Sequence, residues 1–214
     1  MKMNKVDTEK VYQLLWEKIT SLELAPGEIL DIAALANEMG FSQTSIREAL
    51  SMLVHDRLVD APPRGLYVAS LKFTDLEKIS TIRLNLETLA AQQAVRNASK
   101  DDLVILSTLC EEVAGDTREL FELDQRFHQA IARATHNSYL ADILDHFYGL
   151  SKRLWFLALP YLDFLPSAVK SHINLVSAIQ EENEPLAMEI MQNHIEEFYQ
   201  KIQEIIKEKN LISE

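Results

Sequence analysis

The sequence predicts a mainly α-helical protein: an N-terminal winged helix-turn-helix followed by an all-α antiparallel helical bundle. Three observations lead there. Apolar residues recur at spacings of three and four along almost the whole chain, the period of an amphipathic helix. The one strand-like stretch is a pair of short β-prone runs around Pro62-Pro63-Arg64-Gly65. The helical pattern then restarts near residues 70–73 and continues to the end, which sets two domains, 1–72 and 73–214.

In the first domain Val11, Leu14, Leu15, Ile19 and Leu22 share a helical face. They predict a helix over 7–22, capped by Asp7 or Thr8 and stopped by Ala25-Pro26-Gly27. A second helix, about 31–39, carries Ile32, Leu35, Ala36 and Met39 and ends at Gly40. A third opens at Ser42 and runs through Ile46, Ala49, Leu50 and Leu53. Two short helices joined across residues 40–42 have the spacing of a helix-turn-helix. Leu58-Val59-Asp60-Ala61 and Leu66-Tyr67-Val68-Ala69 then read as a hairpin, the wing.

In the second domain six helices are expected, roughly 74–97, 100–113, 117–135, 139–158, 166–182 and 185–209. Thr74 with Glu77, Ser99 with Asp102 and Asp116 with Glu119 have capping-box spacing. Asn137 or Ser138 can open another helix. Pro160 and Pro166 interrupt the chain, and Pro185 sits in the first turn of the last helix.

Composition narrows the function classes. The chain has 214 residues, 47% apolar and 25% charged, which is ordinary for a soluble globular protein. Its single cysteine, Cys110, excludes an intrachain disulfide and a multi-cysteine zinc site, and suits a reducing cytoplasm. The N-terminus lacks a signal-peptide core, and the longest apolar run, 154–165, is broken by Pro160 and Asp163, so no membrane association is expected. Five dispersed glycines exclude a glycine-rich phosphate loop. The net charge of −12 argues at first sight against binding nucleic acid.

The third helix nevertheless begins with Ser42-Gln43-Thr44-Ser45-Ile46-Arg47, mostly short hydrogen-bonding side chains plus a guanidinium. In a helix-turn-helix this end enters the major groove. Thr44, Ser45 and Arg47 suit phosphates, Gln43 suits adenine, and Ser42 can cap; the bland alternative is that Ser42 and Thr44 only cap. Ala25-Pro26-Gly27, Leu35-Ala36, Gly40, Ser42, Ile46-Arg47-Glu48-Ala49-Leu50, Leu58-Val59 and Pro63-Arg64-Gly65 together resemble the winged helix of GntR-family transcriptional regulators. The resemblance covers residues 8–70. It implies that Ser42, Thr44, Ser45 and Arg47 face operator DNA and that the wing, with Arg64 and Gly65, approaches the minor groove. The chain departs from that pattern at Ala33 and Gln43, where arginine is usual, and at Ser45, where proline is common.

In the bundle, Asp124 and His128 share a face with Leu120, Phe127 and Ile131. His172 lies on the stripe of Leu165, Val169, Val176 and Ile179, and His194 on that of Met191, Phe198 and Ile202. A carboxylate and three imidazoles aimed into an apolar core need partners, and together they make a first shell for a divalent ion such as zinc or nickel. Asp142 and His146 have the same spacing but align with Gly149 and Arg153, a more polar face. A metal-free hydrogen-bonded network is the alternative. Asp124-x-x-Phe127-His128, Asn137, Leu140, His172, Ala178-Ile179, Ala187 and His194 are similar to the FCD ligand-binding domain of the FadR subfamily of those regulators, of the six-helix, VanR-like type. That resemblance spans about 75–208 and implies that the same four residues hold the ion. Arg83, in Arg83-Leu84-Asn85-Leu86-Glu87, matches a family motif and falls on an apolar stripe. It implies either a contact to a small organic acid effector or a salt bridge to Glu87.

The expected function is thus a homodimeric regulator whose operator affinity responds to an organic acid beside the metal. The alternative is a metal-dependent hydrolase or lyase acting on a small carboxylate, but no His-Glu-x-x-His motif is present and no Glu lies three residues before His128, His172 or His194. The charge objection weakens on division. Residues 1–72 carry eight basic and ten acidic residues, whereas 73–214 carry 13 and 23. The acidity lies mainly in the bundle.

Overall fold

The computed structural model describes residues 2–212 and falls into two compact units, Met1–Leu71 and Lys72–Glu214. In the first unit the helices are α1 (Lys2–Thr20), α2 (Ile32–Met39) and α3 (Gln43–His55), followed by strands β1 (Val59–Asp60) and β2 (Tyr67–Val68). The strands pair antiparallel, Val59 opposite Val68 and Asp60 opposite Tyr67. Helix α1 packs on α3 through Val11, Leu15 and Ile19 against Ile46, Leu50 and Leu53, all fully buried.

Local chemistry explains the boundaries. Asp31 caps α2 by accepting from the Ala33 and Ala34 amides at 2.8 and 2.9 Å. Gly40 ends it at φ 72°, a left-handed conformation that glycine adopts without steric cost. Ser42 caps α3, its Oγ accepting from the Ser45 amide at 3.1 Å. Two expectations are corrected. Helix α1 starts before Asp7 and Thr8, so neither caps it, and Thr8 Oγ1 instead donates to Glu48 at 2.7 Å, tying α1 to α3. It stops at Thr20, where Leu22 turns left-handed, before the Pro26 signal is reached. The wing also has a third member: Leu30 N–H donates to Leu66 O and Val68 N–H to Glu28 O, so residues 28–30 run beside β2. That pairing is set by tertiary approach and has no local periodicity.

The second unit holds α4 (Phe73–Asn97), α5 (Lys100–Glu111), α6 (Thr117–Ala134), α7 (Ser138–Ala158), a single 3-10 turn at Leu159–Tyr161, α8 (Leu165–Gln180) and α9 (Glu184–Lys209). Helix α4 packs lengthwise on α9 and also meets α6, α7 and α8, so it forms the axis of the bundle. Ser99 and Asp102 form a reciprocal capping box, and Asp116, Asn137 and Asn183 each cap their helix. Thr74 does not: α4 begins one residue earlier, after Lys72, with no side-chain cap. The face of α7 expected to be polar is corrected too. Gly149 and Arg153 are buried, because α7 packs against α4, α6 and α9 and has little solvent side left there.

Candidate functional site

Helices α6, α8 and α9 aim Asp124, His128, His172 and His194 at one another inside the bundle. All four are buried, and one ligand atom from each lies within 4.8 Å of the others. His128 Nε2 and His194 Nε2 are 3.1 Å apart. Asp124 Oδ1 stands 3.3 Å from His172 Nε2, 3.7 Å from His128 Nε2 and 4.0 Å from His194 Nε2. Donors bonded to one ion at about 2.0–2.2 Å are separated by about 3–4 Å, so this spacing fits a shared first shell. Asp142 is exposed and His146 only half-buried, and neither belongs to the cluster. His136 lies apart at the surface and pairs with Asp102 at 2.9 Å.

Each of three donors has an outer partner. Ser171 Oγ lies 2.7 Å from the Ala168 carbonyl, which can only accept, and 2.9 Å from His194 Nδ1. Its proton therefore goes to Ala168, so it accepts from His194 Nδ1–H and leaves Nε2 for the cluster. Tyr148 donates to Asp124 Oδ2 over a long 3.5 Å. His128 Nδ1 meets Glu87 Oε2, and Glu87 Oε1 accepts from Arg83. His172 has a ring instead: it stacks flat on Phe127 with centroids 3.8 Å apart. Such outer contacts orient ligands and set their tautomers.

The electrostatics follow from burial and proximity. Burial alone would raise the Asp124 carboxyl, but the imidazoles of His128, His172 and His194 outweigh it and hold the group well below its usual range. Glu87 behaves the same way: burial raises it, and Arg83 and His128 bring it down to about 2. Burial lowers His194 to about 3, helped by His128 and His172, and burial lowers His172 too. His128 is opposite, because Glu87 and Asp124 on its two sides overcome burial and raise it. Two imidazoles held toward their neutral form and a carboxylate sharing a closed space have the charge balance to receive a cation. Asp124 Oδ1 and His172 Nε2 face each other at 3.3 Å without a well-aligned hydrogen bond, which leaves both able to serve as donors to an ion.

Arg83 is buried and engaged. It pairs with Glu87, donates to Tyr199 Oη at 3.2 Å and lies over the rings of Tyr148 and Trp155 at 4.8 and 4.6 Å. Its Nε, by contrast, has no hydrogen-bond partner. Sequence reasoning missed the roles of Tyr148, Ser171 and Tyr199, whose contacts join residues 23 to 116 positions apart and leave no local spacing to read. Glu87 was in view through its motif, but its contact with His128 was not.

On the first unit, Gln43, Thr44 and Arg47 are exposed on α3, with Ser42 exposed at its N-cap. Arg64 and Gly65 are exposed at the hairpin tip. Ser45 differs from the reading that it faces DNA. It is fully buried, with its hydroxyl 3.0 Å from that of Ser42, because the third residue of α3 lies on the helix's buried side with Ile46 and Ala49.

Comparison with known proteins places these units. The family described as bacterial regulatory proteins, gntR family, matches residues 7–68, and the FCD domain matches residues 78–197. The Bacillus subtilis regulator YdhC, an uncharacterized HTH-type transcriptional regulator, is 32% identical over 142 residues, a match spanning 63% of each chain. The Escherichia coli transcriptional regulator McbR is 29% identical over 197 residues, 83% of this chain and 86% of McbR. The structure of E. coli McbR/YncC superimposes with a TM-score of 0.77 at 25% identity, covering 91% of this chain and 98% of that one. The gluconate operon transcriptional repressor of B. subtilis is 25% identical over 206 residues, 91% and 84% of the two chains. These relatives are transcriptional regulators and not hydrolases or lyases. Among the described residues no helix is long and apolar enough to cross a membrane. With a gntR-type helix-turn-helix ahead of an FCD domain, the chain belongs to the GntR family and is a DNA-binding transcriptional regulator.

Proposed function

We propose that this regulator holds a divalent transition metal, zinc or nickel, on Asp124, His128, His172 and His194, and that a small organic acid bound beside it controls operator affinity. The observation that carries the reading is the convergence of those four buried donors. The donor set, three imidazoles and one carboxylate, suits zinc and nickel. Bound there, the metal supplies a Lewis-acid position for a carboxylate or hydroxyl oxygen. Arg83 adds a buried positive charge, with its Nε–H as a donor for such a ligand. One relative is named as the repressor of an operon for gluconate, itself a hydroxy acid. The metal and effector domain is 73–214, and the reader of operator DNA is 1–72.

Ser42, Gln43, Thr44 and Arg47 then meet the major groove, and Arg64 and Gly65 the minor groove. Two such heads in a homodimer read two half-sites. The effector acts by favouring one spacing of the heads over another. A protein bound to operators works in the cytoplasm.

Elemental analysis of the full chain, purified without chelator or affinity tag, tests the metal. One transition-metal ion per chain is expected, lost in His194→Ala; absence of a stoichiometric metal in the wild type overturns the metal site. Calorimetric titration with dicarboxylates and sugar acids tests the effector arm, and affinities unchanged in Arg83→Ala remove Arg83 from it.

A further inference from the structure

Glu87 is buried on α4 and faces two donors at once. Its Oε1 accepts from Arg83, and its Oε2 meets His128 Nδ1. On the far side Arg83 is locked by a chain whose polarity can be worked out. Ser151 Oγ lies 2.9 Å from the Phe147 carbonyl, which can only accept, so the Ser151 proton goes there. Ser151 must then accept from Tyr199 Oη–H at 2.9 Å, which leaves the Tyr199 oxygen to accept from Arg83 at 3.2 Å. The rings of Tyr148 and Trp155, packed edge-to-face on each other, both lie against the guanidinium. Every member of the chain thus has one role available.

The consequence falls on His128. A carboxylate paired with arginine is an acceptor, so the imidazole nitrogen facing it carries the proton. That leaves Nε2, 3.1 Å from His194 Nε2, as the nitrogen turned into the cluster, free to give up any proton it carries to make room for a metal. We propose that Glu87 is the positioning residue of this site: it fixes His128 as the Nδ1–H tautomer, and Arg83 with Tyr199 and Ser151 holds Glu87 in place. The inference deepens the metal reading above and rests on it for its effect on affinity, but the proton that Glu87 holds on His128 Nδ1 does not require metal.

Glutamine distinguishes positioning from packing. Glu87→Gln keeps the volume but leaves one acceptor oxygen for two donors. If Arg83 takes that oxygen, the amide NH2 faces His128 Nδ1 and forces the proton to Nε2, where a metal is needed. Removing Arg83 as well frees the oxygen for His128. The full-length wild type, Glu87→Gln and the double variant Arg83→Met/Glu87→Gln are compared by zinc competition against a chromophoric chelator. Circular dichroism and melting temperature confirm the fold of each. Zinc affinity should fall roughly tenfold to a hundredfold in Glu87→Gln and recover in the double variant. A folded Glu87→Gln that binds zinc like the wild type overturns the inference, as does a folded double variant no better than the single. Nitrogen-15 NMR of the histidine rings in metal-free protein separates the two readings. If the wild type takes up no zinc, the metal site falls. Movement of the His128 proton from Nδ1 to Nε2 in Glu87→Gln still upholds the positioning role, and an unmoved proton refutes it.

Discussion

The two units handle polar side chains in opposite ways. Among the described residues of the first unit, the buried polar side chains are Thr8, Thr20 and Ser45, none of them charged. The second unit buries Arg83, Glu87, Asp124, His128, Lys152, Arg153, His172 and His194. Burying ionisable groups is costly unless they are paired, and replacing them by apolar side chains is often neutral or stabilising. A helical bundle of this size does not need such a core to fold. The difference teaches where each unit keeps its chemistry: the first presents it on the surface of an ordinary apolar core, the second encloses it. Substitutions at one residue type in the two places therefore have opposite consequences.

The largest effect is expected inside. Arg83→Met removes the guanidinium from a fully buried pair and leaves the Glu87 carboxylate facing only His128. Breaking such a pair from one side costs about 3–5 kcal/mol. Chemical denaturation monitored by circular dichroism measures it. A loss below about 1 kcal/mol would mean that the interior of the bundle tolerates charge as easily as a surface does, and the contrast between the units would collapse.

Next is the apolar core of the first unit. Leu50 is fully buried between α3 and its neighbours, and Leu50→Ala should cost about 2–5 kcal/mol through lost transfer energy and the cavity left behind. Its stoichiometry of bound metal should match the wild type, since none of the cluster residues lies in this unit. Elemental analysis beside the denaturation curve checks both halves. A drop in metal content would show that the enclosed site depends on the other unit's core.

The contrast also explains what could be read from the chain alone. Asp124, His128, His172 and His194 were legible because each interrupts an apolar stripe, and a polar group on a buried stripe is conspicuous by its cost. Ser99, Asp116 and Asn137 were legible because capping acts within three residues. Thr74 carried the same local signal and failed, because α4 begins at Phe73, whose ring meets Lys207 across the bundle. Arg153 was misread for a related reason: a helix packed against three others has no polar side over its second half. Glu87 lay between these cases. Its spacing to Arg83 was visible, but its second partner comes from another helix 41 residues on, and only folding brings them together. On the surface, the first turn of α3 showed which residue types were present but not their directions, so Ser45 was placed with its exposed neighbours.

The smallest structural effect belongs to the outer arginine. Arg47 is exposed on α3, and Arg47→Ala should leave the melting temperature of the protein unchanged. Its effect should appear only with DNA. If Arg47 neutralises one phosphate, operator affinity falls, and the slope of log affinity against log salt concentration shrinks by about one. The wild-type slope should itself be shallow, because residues 1–72 carry eight basic against ten acidic residues and lack arginine at positions 33 and 43, where Ala33 and Gln43 stand. Fluorescence anisotropy with an operator fragment at several salt concentrations measures both chains. An unchanged slope in Arg47→Ala would move the phosphate contact elsewhere on the unit, with Arg64 on the wing as the next residue to remove. A melting temperature that falls with Arg47→Ala would be the more damaging result. It would mean that a surface arginine of the first unit supports the fold as Arg83 does in the second, and that the division between a surface site and an enclosed one does not hold.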